Sequence, residues 1–438
     1  MLNKIISLFL ALATMSFIVH AGLKLNQKDC PALVLGFILI TAYCIGKLLE
    51  KIGLPGIVGY ILTGLFMGPY FLKFYTSSAI NELSFINSLA LAFIAFCAGG
   101  ELRLSNIRRT LKSIIYYISG ITLIVFTGIT ALVFSISSLI PFLSELSPGV
   151  KLAVSAIFGI ITVARSPSSA IAIISETKAK GPYTDLVLSV SVAMDVIIIM
   201  LFAVVISVSQ IFIHTKGSMD LSFMAALFLE IALAFLLGYL LGKFIVFLIE
   251  KVKVEFAVVI IAMGFLVIEF SRFLGEYLHE VHNIGFEIEP LLICMAAGFT
   301  VQNFSSQGKN FLKRMDRVSL PIYIAFFAMT GAAMNINILR TGWLFGLVVV
   351  VARLILINIG SYFSGKLSKT PTKIYKNAWL GFITQAGVSL GLLTEVVRRF
   401  PDIGSSIQTI LIAAIIMNQI IGPIAFKYGL KKVGETNV

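Results

Sequence analysis

The chain has 438 residues, of which 58% are hydrophobic and only 13% charged. That much apolar surface has no place in a soluble fold of this size and points to a polytopic membrane protein. The net charge of +13 does not require nucleic acid, because the basic residues sit in short loops between apolar runs, as the positive-inside rule expects.

The first stretch, residues 2–22 (LNKIISLFLALATMSFIVHAG), has two readings. Lys4, an apolar run and Val19-His20-Ala21 resemble a signal peptide with its cleavage site, and the same run is long enough to be an extra transmembrane helix. Apolar segments then follow at 31–49, 56–72, 82–100, 113–140, 152–175, 184–213, 221–249, 254–275, 285–303, 318–337, 341–365, 377–397 and 404–426. Each is long enough to span a bilayer, with 56–72 near the short limit. Placing loop 22–30 outside puts the denser basic clusters on the other face. These include Arg103, Arg108, Arg109 and Lys112; Lys309, Lys313, Arg314 and Arg317; and Lys427, Lys431 and Lys432. The expectation is a multi-pass protein of the cell (inner) membrane with a cytoplasmic C-terminus and a short tail at 428–438. No loop is long enough for a soluble domain, so the work must be done within the bundle.

Two segments carry one charge each at their middle. Between Lys151 and Glu176 the sole charge is Arg165, inside Thr162-Val163-Ala164-Arg165-Ser166-Pro167-Ser168, where a proline and small polar residues predict a broken helix. Between Asp185 and His214 the sole charge is Asp195. A carboxylate at bilayer depth costs about 2.5–3.5 kcal/mol on insertion scales and so marks a functional site. A second polar interruption, Thr384-Gln385-Ala386-Gly387, lies as far beyond the eighth span as the Arg165 break lies beyond the first. Six spans, a linker span at 221–249 and six more would make two inverted six-helix repeats, and interrupted helices at matching positions point to a transport site.

Asp195 is the candidate carrier: a single carboxylate that either protonates or holds a cation makes the two compete for one place. Ser166, Ser168 and Thr162 offer hydroxyl or carbonyl oxygens, or simply break and cap the helix. Ser191, four residues before Asp195, shares its helix face and is placed to orient the carboxylate, or to bond its own backbone. Arg165 has three readings: a fixed charge offsetting helix C-terminal dipoles, a latch for Asp195, or an anion site. Arg353 lies at the middle of its span and needs a partner in the bundle. Gln385 is a polar member of the second break. Glu289, just before Pro290, is either a vestibule carboxylate or charge at a helix start. Gly64-x-x-x-Gly68 allows close helix approach. Cys44, Cys97 and Cys294 lie in apolar runs as packing residues. His20, His214, His279 and His282 lie near segment ends, fitting interfacial roles or proton relay. No Cys/His cluster of metal-ligand spacing, phosphate loop or Ser/His/Asp set is present, so no cofactor and no enzyme are expected.

Several stretches resemble monovalent cation/proton antiporters (the sodium/proton and potassium/proton exchanger transmembrane domain). Leu48 to Tyr70 (LLEKIGLPGIVGYILTGLFMGPY) is similar to an early helix of that family, and Ala90 to Arg109 (ALAFIAFCAGGELRLSNIRR) to the next. Ala156 to Val196 resembles the broken helix and the carboxylate helix after it. Leu292 to Gly298, Phe326 to Gly331 and Gly381 to Leu390 resemble helices of the second half. The resemblance covers about 31–427 in order. It implies an all-α fold of about thirteen core helices, with interleaved scaffold and core parts and two broken helices crossing at the midplane. It also implies pairing as homodimers, and an aspartate, matching Asp195, that binds the cation or protons. Three departures stand out. Many relatives have Thr-Asp-Pro where this chain has Arg165-Ser166-Pro167. Many have Asp or Asn where it has Met194. Relatives thought to be electrogenic carry a second aspartate and a lysine on the tenth core helix, whereas Leu320 to Ile336 holds no Lys or Arg. The expectation is therefore electroneutral Na+ or K+ exchange for H+. A channel-like or sensor protein with an Arg165–Asp195 latch, or an anion-coupled carrier, is the alternative.

Overall fold

A computed structural model describes residues 31–213, 221–252, 256–282, 288, 290–334, 336–385 and 387–436. The readings of residues 1–30, of His214 and of Glu289 lie outside them. Among the described residues the regular structure is helical, with no strand. Eight helical stretches there are long and apolar enough to cross a membrane, and shorter apolar helices accompany them.

In chain order the principal helices are α1 Pro31–Lys51, α2 Gly56–Met67, α3 Ser84–Glu101, α4 Leu104–Ser135, α5 Pro148–Val163, α6 Pro167–Thr177, α7 Pro182–Ile213, α8 Leu221–Phe247, α9 Phe256–His282, α10 Pro290–Phe304, α11 Gly308–Ala333, α12 Ile336–Leu367, α13 Gly387–Arg399 and α14 Pro401–Val433. A 3₁₀ turn, Ala378–Phe382, precedes α13. Proline opens α5, α6, α7 and α14, where its missing N–H would have had no partner and its fixed φ suits the first turn.

Each apolar segment expected from the sequence carries a helix, with shifted ends. The segment 56–72 yields only Gly56–Met67, because Gly68 is extended (φ −63°, ψ 173°) ahead of Pro69. The segment 113–140 starts earlier, at Leu104, since nothing in its basic leading turns breaks a helix. The last helix runs past Lys427 to Val433, ending on Gly434 in the left-handed region (φ 81°).

Packing sorts the helices into two groups, each drawn from both halves of the chain. In one, α10 packs on α3 and α8, α11 on α1, α2 and α3, and α9 on α3. In the other, α12 packs on α4 and α14, α5 on α4 and α7, and α13 and the 3₁₀ turn on α14. Glycine sets the closest approach in the first group. A Cβ on Gly64 would run into the carbonyl of Ala328, and one on Gly331 into that of Ile61, so α2 and α11 meet backbone to backbone. Cys44, Cys97 and Cys294 are buried and form no disulfide among the described residues.

Candidate functional site: the crossing of two broken helices

The first break falls where the sequence places it. α5 ends at Val163, Ala164 is extended, and α6 restarts at Pro167 with Ser166 as its cap. The second lies between Phe382 and Gly387. The two breaks touch. Ser166 N donates to the carbonyl of Thr384 at 3.0 Å, and Thr384 Oγ1 donates to the carbonyl of Ser166 at 3.5 Å. Backbone groups freed by one break are thus partly satisfied by the other, as non-helical backbone at membrane depth requires.

Arg353, from the middle of α12 and fully enclosed (0% exposed), ties the crossing together. Its Nε donates to Thr162 O at 2.7 Å, Nη1 to Ile383 O at 2.6 Å, and Nη2 to Ala164 O at 3.0 Å and Phe382 O at 3.5 Å. These carbonyls end the helical pieces ahead of both breaks, where the helix dipole places negative partial charge. The rigid guanidinium fork suits several acceptors at once. Arg353 is thus bonded to the helix-end carbonyls whose dipoles the sequence reading had Arg165 offset.

Arg165 is also buried, at 1% exposure. Its guanidinium carbon lies 4.4 Å from the centre of the Phe382 ring, a cation–π contact. None of its three nitrogens donates a hydrogen bond among the described residues. The charges acting on it are those of Arg353, which repels it, and Asp195, which attracts it. Asp195 itself is half-buried on α7, with one carboxylate oxygen enclosed. Its neighbour Met194 is buried and receives the Thr122 hydroxyl of α4 at its sulfur, 3.3 Å away.

The remaining sequence candidates divide. Thr162 donates its hydroxyl to Gly159 O at 2.8 Å, within its own helix. The Ser166 hydroxyl caps α6, accepting from Ser169 N at 3.2 Å and lying 2.9 Å from Ser168 Oγ and 3.0 Å from Ser169 Oγ. Ser169, which the sequence reading did not single out, completes this buried hydroxyl cluster. Ser191 is buried on α7. Gln385 bridges: its Nε2 donates to Ile161 O at 3.2 Å, and its Oε1 accepts from Asn418 Nδ2 of α14 at 2.7 Å. Asn418 was missed. A pair of adjacent amides, Asn418 and Gln419, at the middle of a long apolar helix was the available signal. The site is therefore a polar knot of oxygens, two arginines and one carboxylate. Among the described residues no three His, Cys, Asp or Glu side chains converge, so what it can offer an ion is one carboxylate plus neutral oxygens.

Residues 34–432 match the family described as sodium/hydrogen exchanger, transmembrane. The chain belongs to that family. It is 22% identical over 409 residues to a Na(+)/H(+) antiporter of Enterococcus hirae, covering 91% of this chain and 98% of that one. It is 22% identical over 330 residues to Na(+)/H(+) antiporter 1 of Methanocaldococcus jannaschii, covering 74% and 72%. Two structures of the sodium proton antiporter of Methanocaldococcus jannaschii share its fold. The one at pH 8 has a TM-score of 0.63 at 20% identity, covering 93% of this chain and 95% of that one. The electron-microscopy structure has a TM-score of 0.69 at 20% identity, covering 92% and 98%. As a member of the sodium/hydrogen exchanger family the chain is a multi-pass membrane transporter and not an enzyme.

Proposed function

We propose that this protein exchanges a monovalent cation, Na+ or K+, for H+ by alternating access, with Asp195 as the shared carrier. The observation that carries the reading is a half-buried carboxylate at the middle of α7, in a membrane bundle whose two broken helices meet through Ser166 and Thr384. One group that is either protonated or cation-bound makes the two ligands mutually exclusive, and exclusion coupled to alternating access is antiport. The relatives' names, Na(+)/H(+) antiporter, support the same exchange. With one carboxylate, and no Lys or Arg on α11 beyond Arg317, the exchange is electroneutral. The two packed groups serve as scaffold and core. A homodimer in the cell membrane with its C-terminus in the cytoplasm fits the family and the distribution of basic loops.

Arg165 favours a second reading. With the helix-end carbonyls occupied by Arg353, the Arg165 guanidinium donates no hydrogen bond among the described residues, and Asp195 is the carboxylate that attracts it. A protein in which that pair locks would sense ions rather than turn them over. The deciding experiment is a proteoliposome pH-gradient assay with Na+, K+ and Li+, on wild type and Asp195→Asn. Cation-driven proton movement in wild type that vanishes in the variant supports the carrier. Movement that persists in Asp195→Asn rejects it, and an inert wild type favours the sensor.

A further inference from the structure

The two groups of helices are joined by polar bonds at one end of the bundle, the end marked by Lys178, Lys180, Lys431 and Lys432. Glu176, at the end of α6, accepts from the backbone N of Gly56, the first residue of α2, at 2.9 Å. Lys427 of α14 donates to the carbonyl of Leu54, just before α2, at 3.2 Å. Glu176 and Lys427 pair with each other at 3.3 Å, with side-chain exposures of 16% and 4%. One residue earlier on α6, Ser175 donates to Asp316 of α11 at 2.7 Å. The seam thus consists of two residues of α6 and one of α14 holding α2 and α11, and the packing of α6 on α2 and α3 and of α14 on α2 runs along it.

Each of these residues is oddly spent if the seam is only glue. A buried ion pair adds little net stability over an apolar one, because both charges lose water. What it does supply is an all-or-none geometry: with the partner gone, each charge demands solvent. α6 is the half-helix that begins at the crossing, so any displacement of the site would carry its far end along. We propose that Glu176 and Lys427 form a gate. Closed, they bar the crossing from the basic end of the bundle; open, they part from Gly56 and Leu54, release Asp316 from Ser175, and admit water along α6. The gate rests on the antiport reading for its purpose but on its own bonds for its existence.

A cross-link tests it directly. In a background with the four native cysteines replaced by alanine, Ser175→Cys and Asp316→Cys are bridged by a short bifunctional thiol reagent whose link is cleaved by reductant. Exchange in proteoliposomes should stop on bridging and return on reduction. Exchange that continues through the bridge overturns the gate. Deuterium uptake gives a second readout that needs no transport: Lys427→Met and Glu176→Gln should each raise uptake across residues 54–60 and 170–177 several-fold, and uptake at the wild-type level overturns the gate. An unbridged protein without exchange would count against the antiport reading, leaving the gate to be decided by uptake alone.

Discussion

Arg353 Nε lies 2.7 Å from the carbonyl oxygen of Thr162, and the same guanidinium reaches Ile383 at 2.6 Å across the second break. One side chain from α12 therefore fixes both interrupted helices relative to each other. Replacing it by glutamine leaves buried carbonyls without donors, at about 1–3 kcal/mol for each one lost. Arg353→Gln should lower the thermal unfolding midpoint in detergent and abolish exchange. Arg353→Lys should recover little, since an ammonium on a single stem cannot reach carbonyls of both breaks in a planar fork. A lysine variant with wild-type stability would argue that charge alone is needed.

Arg165 invites the opposite outcome. Its charge attracts the same carboxylate that a transported cation would occupy, so it opposes cation binding. Arg165→Gln should lower the cation concentration for half-maximal exchange, by about tenfold if the charge is worth ~1.4 kcal/mol at Asp195. The Phe382 ring, 4.4 Å from the guanidinium carbon, competes with Asp195 for the same cation. Phe382→Leu should therefore raise the half-saturating concentration. Titrations of exchange against Na+ and K+ measure both. An Arg165→Gln variant that needs more cation, not less, would show Arg165 to be part of the site's scaffold.

Most of this site was legible as isolated polar residues in apolar runs. Asp195, Arg165, Arg353 and Gln385 each stand out because membrane helices tolerate such groups only for a reason. Both breaks were legible too, the first from Pro167 among small polar residues and the second from the polar run Thr384-Gln385 ahead of Gly387. What the sequence hid is pairing. The partners of Arg353 are carbonyls, which leave no mark in a sequence, so which arginine bonds the helix ends could not be read before the crossing was seen. Asn418, Lys427 and Glu435 find partners far along the chain, and nothing local announces those contacts.

Gly64 and Gly331 give a packing prediction separate from ion chemistry. Each faces a backbone carbonyl of the other helix, where no side chain can yield. Gly64→Ala and Gly331→Ala should each cost about 1–3 kcal/mol through forced separation of α2 and α11. Gly36 on α1, where a Cβ would meet nothing within 4 Å, serves as the comparison, and Gly36→Ala should be close to neutral. Thermal unfolding in one detergent ranks the three, and equal midpoints would refute the close approach.

The chain's last described residues act on the helix that carries Asp195. The Glu435 carboxylate accepts from the backbone N of Tyr183 and of Thr184, both at 2.7 Å, and from the Thr184 hydroxyl at 2.6 Å. Its own carbonyl accepts from Lys180 N at 3.3 Å, and Thr436 donates to Thr177 O at 3.1 Å. A carboxylate placed on the free N–H groups of a helix start both caps them and meets the positive end of the dipole. The tail thus does for α7 what a local cap does elsewhere, although it arrives from the far end of the sequence. Glu435→Ala should cost about 1–2 kcal/mol, and Glu435→Gln less, since the amide oxygen still accepts. Deuterium uptake should rise across residues 180–186 and stay unchanged at the crossing. If uptake spreads to residues 162–168, the tail does more than cap a helix: it transmits to the crossing.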